Sequence, residues 1–284
     1  MDAVSWVTHR VDGELGCWTA VEWRPPHLRD AVARLWHFTG LTAHPRERVL
    51  PTGRLQLVVH VDQRYGIVRD GGIARCAPLA MSGQQTRPMV IQAPNGSSTV
   101  LGIEFTPAGA YRLLRRPLGD LANEDVELGD LVGVDATELA DRCAAAGPDA
   151  RAGLSAAVAW IDARMASASA LDPAIAWIAA RIRRQHGNVV IGTLRERTGL
   201  SAARLANGFR EQVGITAKTY ARIHRFHHAA ARLRGGQSPL AVALNAGYYD
   251  QPHLNADFRE LSGLTPAAFA ATPSYQTGVN VPED

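Results

Sequence analysis

The chain has 284 residues, of which 46% are hydrophobic and 20% charged, and its formal net charge is +3. This length favours two domains over one, and the composition is that of a globular protein rather than a disordered or fibrous one. No apolar run approaches the roughly 18 residues that a membrane-spanning helix needs, so we expect no membrane partner. The three cysteines are odd in number and far apart, which argues against a disulfide framework and a CxxC-type metal site.

The chain has an uneven charge distribution. Residues 172–284 carry 13 basic and 8 acidic side chains, whereas residues 1–171 carry 17 basic and 19 acidic ones. A basic half favours a polyanionic partner, although a solvated charged surface gives the same pattern. Met1–Val4 lack the basic and apolar stretches of a secretory signal, and we expect a cytoplasmic protein.

The first half of the chain is rich in short apolar stretches that Gly, Pro and Asp interrupt. Leu55–Val61 and Thr99–Phe105 are two of them, and several short strands with frequent turns predict a β-sandwich or small barrel. From Pro107 onward apolar residues recur at helical spacing, most clearly in the Ala-rich segment 139–165. We therefore predict an α+β fold, in which a β-rich domain with trailing helices precedes an all-α domain.

Small, weakly patterned residues mark the boundary between the two predicted domains. Asp172 and Pro173 then begin a helix, because Asp caps free amides and Pro is tolerated at the first helical position; Gly187 ends it. The predicted parts are a β-rich domain (1–165), a linker (166–171), an all-α domain (172–272) and a disordered tail (273–284).

Three residues of the β-rich domain are candidates for an effector site. Trp36 belongs to a group of tryptophans in the first 40 residues; aromatic side chains line small-molecule pockets, but they serve equally well as hydrophobic core. Arg54 and Gln56 alternate with apolar residues on a predicted strand, and we expect them to point into the barrel. The sequence leaves open whether this domain senses a small molecule or only mediates dimerisation.

Residues for catalysis or metal binding form no recognisable pattern. A metal-binding cupin needs two His one residue apart, then Glu and a further His, whereas only His60 stands in that region. His224, His227 and His228 cluster on a predicted helix, where we expect solvated or phosphate-facing side chains rather than metal ligands. We predict no cofactor, no metal and no enzymatic activity. The alternative is a catalytic N-terminal domain fused to a C-terminal binding module, whose ligand the following repeat indicates.

An internal repeat occupies the C-terminal part of the chain. Phe209 and Phe258 lie 49 residues apart, and so do Thr216 and Thr265, which indicates one device used twice. In each unit a leading helix ends at a Gly turn, and Ser201 or Asp250 then caps a second helix. A long helix from Ala217 to about Leu233 separates the two units.

The second helix of each unit buries apolar residues four apart, which leaves an outward face free to enter the major groove. Amide and guanidinium groups on such a face bond base edges or phosphates. The positions predicted to contact DNA are Ser201, Ala203, Arg204, Asn207, Arg210, Gln251, Pro252, His253, Asn255 and Arg259.

Residues 172–272 resemble the double helix-turn-helix domain of the AraC/XylS family of bacterial transcription regulators. The matching positions are Gly199–Ser201, Leu205, Phe209, Arg210, Gly214, Arg222, Arg225, Phe226, Ala243, Gly247–Gln251, His253, Leu254, Asp257–Arg259 and Gly263–Pro266. The resemblance implies two units docked in successive major grooves of double-stranded DNA, with RNA polymerase, a small-molecule effector and a second copy of the chain as further partners. Leu50–Gly53, Gly83–Pro88 and Phe105–Ala110 resemble a sensor-like domain that precedes such readers in some members.

Two residues depart from the family pattern. Arg195 stands where the family usually has Ala at a close helix crossing, and Gly208 lies inside the first reading helix. A helical Gly costs about 1 kcal/mol relative to Ala. Because several outward positions are Ala or Pro, we predict that phosphate contacts and the second unit provide most of the affinity for DNA.

Overall fold

The structure is a computed structural model, and it describes residues 6–166, 170–272 and 280–283. Residues 167–169 of the predicted linker lie outside the described residues, as do residues 273–279 and 284 of the predicted tail. Within that tail, Asn280–Glu283 form a strand that pairs with Arg46–Val49, so this part differs from the disorder expected from the sequence.

Twelve strands in the described residues form two antiparallel sheets, in agreement with the prediction of a β-sandwich or small barrel. They are β1 (Trp6–Gly13), β2 (Gly16–Trp23), β3 (Val32–Thr42), β4 (Arg46–Val49), β5 (Leu55–His60), β6 (Gly66–Arg69), β7 (Gly72–Arg75), β8 (Leu79–Ser82), β9 (Met89–Gln92), β10 (Ser98–Phe105), β11 (Asp125–Glu127) and β12 (Asn280–Glu283). The larger sheet has the order β1-β2-β3-β10-β5-β8-β11, and the smaller has the order β12-β4-β9-β6-β7.

Eleven α-helices in the part of the chain that the structure describes follow or interrupt the strands, and the α+β prediction is confirmed. They are α1 (Pro107–Leu114), α2 (Leu128–Val132), α3 (Asp135–Ala146), α4 (Ala150–Met165), α5 (Pro173–Arg184), α6 (Ile191–Thr198), α7 (Ala202–Val213), α8 (Ala217–Arg234), α9 (Pro239–Asn245), α10 (Gln251–Ser262) and α11 (Pro266–Ala271). None of the described helices is long and apolar enough to cross a membrane.

The larger sheet separates a hydrophobic core from a cavity. On β5, Leu55, Leu57 and Val59 are buried in one core cluster with residues of α1, α3 and α4. The alternate residues, Gln56 among them, face the cavity between the two sheets. This alternation follows from the two-residue period of a strand, and it places polar side chains on the cavity side.

A second core cluster joins the helices from α5 to α11. The predicted start of α5 is confirmed, since Asp172 Oδ1 accepts a hydrogen bond from Ala174 N at 2.8 Å. Gly187 follows the helix with φ +76°, and a Cβ there would lie 1.9 Å from the carbonyl oxygen of Ala221 on α8. Glycine thus allows the chain to turn while α5 and α8 pack closely.

Candidate nucleic-acid interface

The two repeat units have the same backbone design. Gly199 and Gly247 adopt left-handed conformations, with φ of +68° and +80°, and each turns the chain out of a leading helix. Ser201 Oγ accepts a hydrogen bond from Arg204 N at 3.2 Å at the start of α7, and Asp250 Oδ1 accepts one from His253 N at 2.8 Å at the start of α10. We call α7 and α10, the two helices that the sequence predicts to contact DNA, the reading helices.

The reading helices bury the faces that the sequence predicted. Leu205 and Phe209 of α7, like Leu254 and Phe258 of α10, lie in the second core cluster. The predicted DNA-contacting residues lie on the other faces. Eight of them are exposed and two are partly buried: Ser201, Ala203, Arg204, Asn207, Arg210, Gln251, Pro252 and Arg259, then His253 and Asn255.

Two of the predicted contact residues also hold the fold locally. The Ser201 hydroxyl is occupied by the cap of α7. His253 lies edge-on to the buried ring of Tyr248, 5.2 Å between ring centroids, and its Nδ1 accepts a hydrogen bond from Tyr249 N at 3.4 Å. These contacts fix the turn before α10, so both residues set the position of the reading helices.

The two reading helices are anchored differently to the rest of the domain. Asp257, which is buried on α10, accepts hydrogen bonds from Arg222 at 2.6 Å and from Arg225 at 3.2 Å, both on α8. The equivalent position of α7 is Gly208, where a Cβ would lie 3.1 Å from Ile175 Cδ1 of α5. The helical glycine therefore permits a close approach of α5 to α7, which accounts for the departure from the family pattern.

Both reading helices end in contact with the N-terminal domain. Gln84 Nε2 donates to the carbonyl oxygen of Val213, the last residue of α7, at 2.9 Å. Arg48 Nη1 donates to the carbonyl oxygen of Ser262, the last residue of α10, also at 2.9 Å. We call these the two clamp contacts; they satisfy helix-end carbonyls that have no partner within the helix.

Further contacts reinforce the boundary between the domains. Glu211 of α7 accepts a hydrogen bond from Leu118 N at 2.7 Å through its carbonyl and one from the Tyr111 hydroxyl at 3.2 Å through its carboxylate. Leu50, from the loop after β4, belongs to the core cluster of the helical domain. The N-terminal domain thus contributes directly to the packing of the helices that carry the reading surfaces.

The histidines of α8 lie at this boundary, and the expectation that they are solvated or phosphate-facing is wrong for His224 and His227, whose rings are largely buried. His227 Nε2 donates to the carbonyl oxygen of Pro51 at 2.6 Å, and His228 stacks on His186 with 4.3 Å between centroids. Burial, followed by the charges of His227 and Arg54, lowers the pKa of His224 to about 3. The described residues contain no group of three or more potential metal ligands.

A cavity of about 150 Å³ lies between the two sheets. Its lining combines aromatic and aliphatic side chains with several buried polar groups. The residues are Trp18, Arg34, Trp36, Phe38, Thr42, Glu47, Val49, Thr52, Gln56, Val58, His60, Tyr65, Ile67, Cys76, Ala80, Ser82, Met89, Ile91, Val100, Glu104 and Asp125.

The cavity brings together two of the three predicted effector residues. Trp36 and Gln56 line it, whereas Arg54 lies outside the lining. The Arg54 guanidinium donates to Glu104 at 2.5 Å, at the edge of the cavity, and its side chain is partly exposed near α8. Sequence reasoning missed Arg34 and Glu104, because nothing in their spacing shows that they face the same interior.

Two carboxyl groups of the cavity have shifted pKa values in opposite directions. Burial alone would raise the pKa of Glu104, but Arg34 and Arg54 outweigh it and hold the pKa below its usual range. Burial raises the pKa of Asp125, and the opposing Ser82 hydrogen bond and the charge of Arg69 do not cancel that effect. Asp125 therefore has less compensation for its charge than Glu104 has.

Two family models match parts of the chain. A helix-turn-helix domain matches residues 194–272, and a domain of unknown function, DUF6597, matches residues 24–127. The chain is 36% identical over 67 residues to the uncharacterized HTH-type transcriptional regulator YbfI of Bacillus subtilis (strain 168), and 31% identical over 85 residues to the arabinose operon regulatory protein of Escherichia coli (strain K12).

The aligned segments are short relative to the whole proteins. They cover 24% and 30% of this chain and 24% and 29% of those two relatives, so the match spans about a quarter of their lengths. Among solved structures, ToxT from Vibrio cholerae O395 aligns with 84% of this chain and 97% of its own, with a TM-score of 0.45 and 8% identity. The AraC-like transcriptional activator CuxR aligns with 80% and 87%, with a TM-score of 0.29 and 18% identity.

Proposed function

Residues 194–272 are a helix-turn-helix domain of the AraC type, and from this premise we propose that the chain is a DNA-binding transcription regulator of the bacterial cytoplasm. The observation that carries the proposal is the paired geometry of α7 and α10. Each is capped, turned by a glycine and packed on one face, with polar side chains on the other. Two such helices in one domain suit adjacent major-groove segments of duplex DNA.

The reading residues divide into two groups by their chemistry. Arg204, Asn207, Asn255 and Arg259 can bond base edges, because amide and guanidinium groups match the donor and acceptor pattern of the major groove. Ala203 and Pro252 form a second, apolar group that offers no hydrogen bond to base edges, so backbone phosphates supply much of the affinity. The second unit is the stronger reader, since the ion pairs of Asp257 hold α10 to α8.

The N-terminal domain acts as the regulator of this reader. It encloses a cavity, and the cavity-lining residues Glu47 and Ser82 lie one and two positions from the clamp residues Arg48 and Gln84. A ligand that changes the position of β4 or β8 therefore changes contacts at the ends of both reading helices. This favours a sensing domain over a domain that only mediates dimerisation.

Selection of bound sequences from a random duplex pool, followed by affinity measurements at several salt concentrations, tests this function. We expect a site with two half-sites and an affinity that falls steeply with salt, because phosphate contacts release counterions. The pair Asn255→Ala and Arg259→Ala should weaken binding more than the pair Arg204→Ala and Asn207→Ala, while Arg75→Ala on exposed β7 serves as a control. Failure to enrich any sequence with the folded chain would overturn the proposal.

A further inference from the structure

A row of polar side chains crosses the floor of the cavity. Arg34, Glu104, Gln56, Ser82 and Asp125 are register partners on the adjacent strands β3, β10, β5, β8 and β11. All five line the cavity. Cross-strand partners lie side by side on one face of a sheet, so these groups form a continuous polar strip.

One half of the strip is already neutralised by ion pairs. Arg34 donates to Glu22 at 3.1 Å and also to Glu104. Arg54 donates to the other carboxylate oxygen of Glu104 at 2.5 Å. Two guanidinium groups thus face two carboxylates. Both positive charges are already balanced, so this half of the strip does not favour an anionic ligand.

The other half of the strip has unused hydrogen-bonding capacity. Asp125 accepts a hydrogen bond from Ser82 on Oδ1, while its Oδ2 lies 4.0 Å from the half-exposed guanidinium of Arg69. Among the described residues the Gln56 side-chain amide has no hydrogen-bond partner. A ligand group with several N–H donors and a positive charge can satisfy Asp125 and the Gln56 carbonyl together, as an ammonium does.

An apolar shelf lies next to the polar strip. Trp36, Gly102, Val58 and Ala80 are register partners on β3, β10, β5 and β8. A Cβ at Gly102 would lie 2.0 Å from Trp36 Cε2, so only glycine leaves room for the indole ring to cover β10. Trp18, Phe38 and Tyr65 add further aromatic rings to the lining. An aromatic enclosure of this kind favours organic cations.

From this arrangement we infer that the cavity binds a small amphipathic cation, with its ammonium group at Asp125 and Gln56 and its apolar ring against Trp36. A cavity of about 150 Å³ matches the space that benzene occupies in a protein interior, which sets the size of the ring. The inference deepens the proposed function, because it rests on the assignment of this domain as the sensor.

Calorimetric titration of the full chain with benzylamine, benzyl alcohol and benzoate tests the inference, because these probes share one ring and differ in charge. We expect benzylamine to bind at least tenfold more tightly than benzyl alcohol, and benzoate not to bind. In Asp125→Asn the preference for benzylamine over benzyl alcohol should fall to within a factor of two, while benzyl alcohol still binds. Asp70→Asn, on the exposed turn before β7, should leave the preference unchanged.

A second variant keeps the test valid if Asp125→Asn fails to fold. Gln56→Glu adds a carboxylate to the strip and should tighten benzylamine binding about tenfold. Benzoate binding as tight as benzylamine binding, no binding of any probe, or a preference unchanged in both variants would overturn the inference. DNA binding is measured separately, without the probes. Its failure would overturn the proposed function, whereas the preference for benzylamine would still support the inferred class of ligand.

Discussion

Val213 and Ser262 lie 49 residues apart, and each gives the last carbonyl oxygen of a reading helix to a side chain of the N-terminal domain. The glycines that follow them are equally placed: a Cβ at Gly214 would meet Gln84, and one at Gly263 would meet Arg48. The two units of the repeat are therefore also alike in how the N-terminal domain contacts the end of each reading helix. Because the N-terminal domain contacts the ends of both helices, it restricts the angle between α7 and α10.

Removal of a clamp contact should destabilise the packing of the N-terminal domain against the helical domain. Gln84→Ala leaves the buried carbonyl of Val213 without its donor, and we expect a loss of about 1–3 kcal/mol in the free energy of unfolding. Amide hydrogen exchange at the end of α7 should also become faster. Gln85→Ala is the control, since its side-chain amide donates to the carbonyl oxygen of Gly83 in its own loop. Equal stability of both variants would show that the clamp contact contributes nothing.

Asp257 should be far more important for the second unit than Glu260 is, although both bind Arg222. The Asp257 carboxylate is buried and holds two arginines, whereas Glu260 is mostly exposed. We expect Asp257→Asn to cost on the order of 3 kcal/mol of stability, and Glu260→Gln less than about 1 kcal/mol. Chemical denaturation measures both values, and comparable losses would contradict the assigned anchoring of α10.

Gly187 should tolerate alanine less well than Gly199 does, because only one of them touches another helix. Both have positive φ, so alanine costs about 1–2 kcal/mol at either site. At Gly187 the added Cβ also meets the backbone of Ala221, whereas the space around Gly199 is open. Overpacking adds about 1–3 kcal/mol. Thermal unfolding of the two variants measures the difference, and equal midpoints would contradict the close packing of α5 on α8.

The contact between the domains should weaken at acidic pH. The folded-state pKa of His224 is about 3 and that of His227 is also lowered, whereas unfolded histidine titrates near pH 6.5. The unfolded chain therefore binds more protons below pH 6.5, so stability is fully present above that pH. Through His224 it falls by up to about 1.4 kcal/mol per pH unit as the pH decreases toward 3, and the lowered pKa of His227 adds a loss in the same direction.

Denaturation at pH 7 and pH 5 measures this dependence. His224→Asn should reduce the difference between the two pH values, and the matched change His9→Asn on β1 should leave it as it is. A pH difference that persists undiminished in His224→Asn would assign the effect to other groups.

The helical domain could be predicted because its signals are local. Gly199, Gly247 and the caps at Ser201 and Asp250 act within a few residues of their positions, and the 49-residue repeat makes each unit evidence for the other. The start of α5 at Pro173 is equally local. These features depend on backbone conformation, which the residue type itself restricts.

The cavity and the clamp contacts could not be predicted, because they depend on register and on contacts between distant segments. The two-residue period of a strand correctly placed Gln56 on the inner face of the sheet. It could not show that Glu104 and Asp125 lie in the same polar strip as Gln56. His224 and His227 were misplaced because no local pattern shows that the segment with Pro51 and Gly53 packs against them. The only sequence feature that pointed to this boundary was the family resemblance of Leu50–Gly53 and Gly83–Pro88, because both segments contact the helical domain.

Simultaneous binding of both reading helices to one duplex is tested most directly by the spacing of the two half-sites. The affinity of the full chain is measured on the selected duplex and on one with five base pairs inserted between the half-sites, which rotates one by about half a turn. We predict at least a tenfold loss of affinity on the inserted duplex and a shallower dependence on salt, because only one helix then engages. Equal affinity and equal salt dependence on both duplexes would contradict the account.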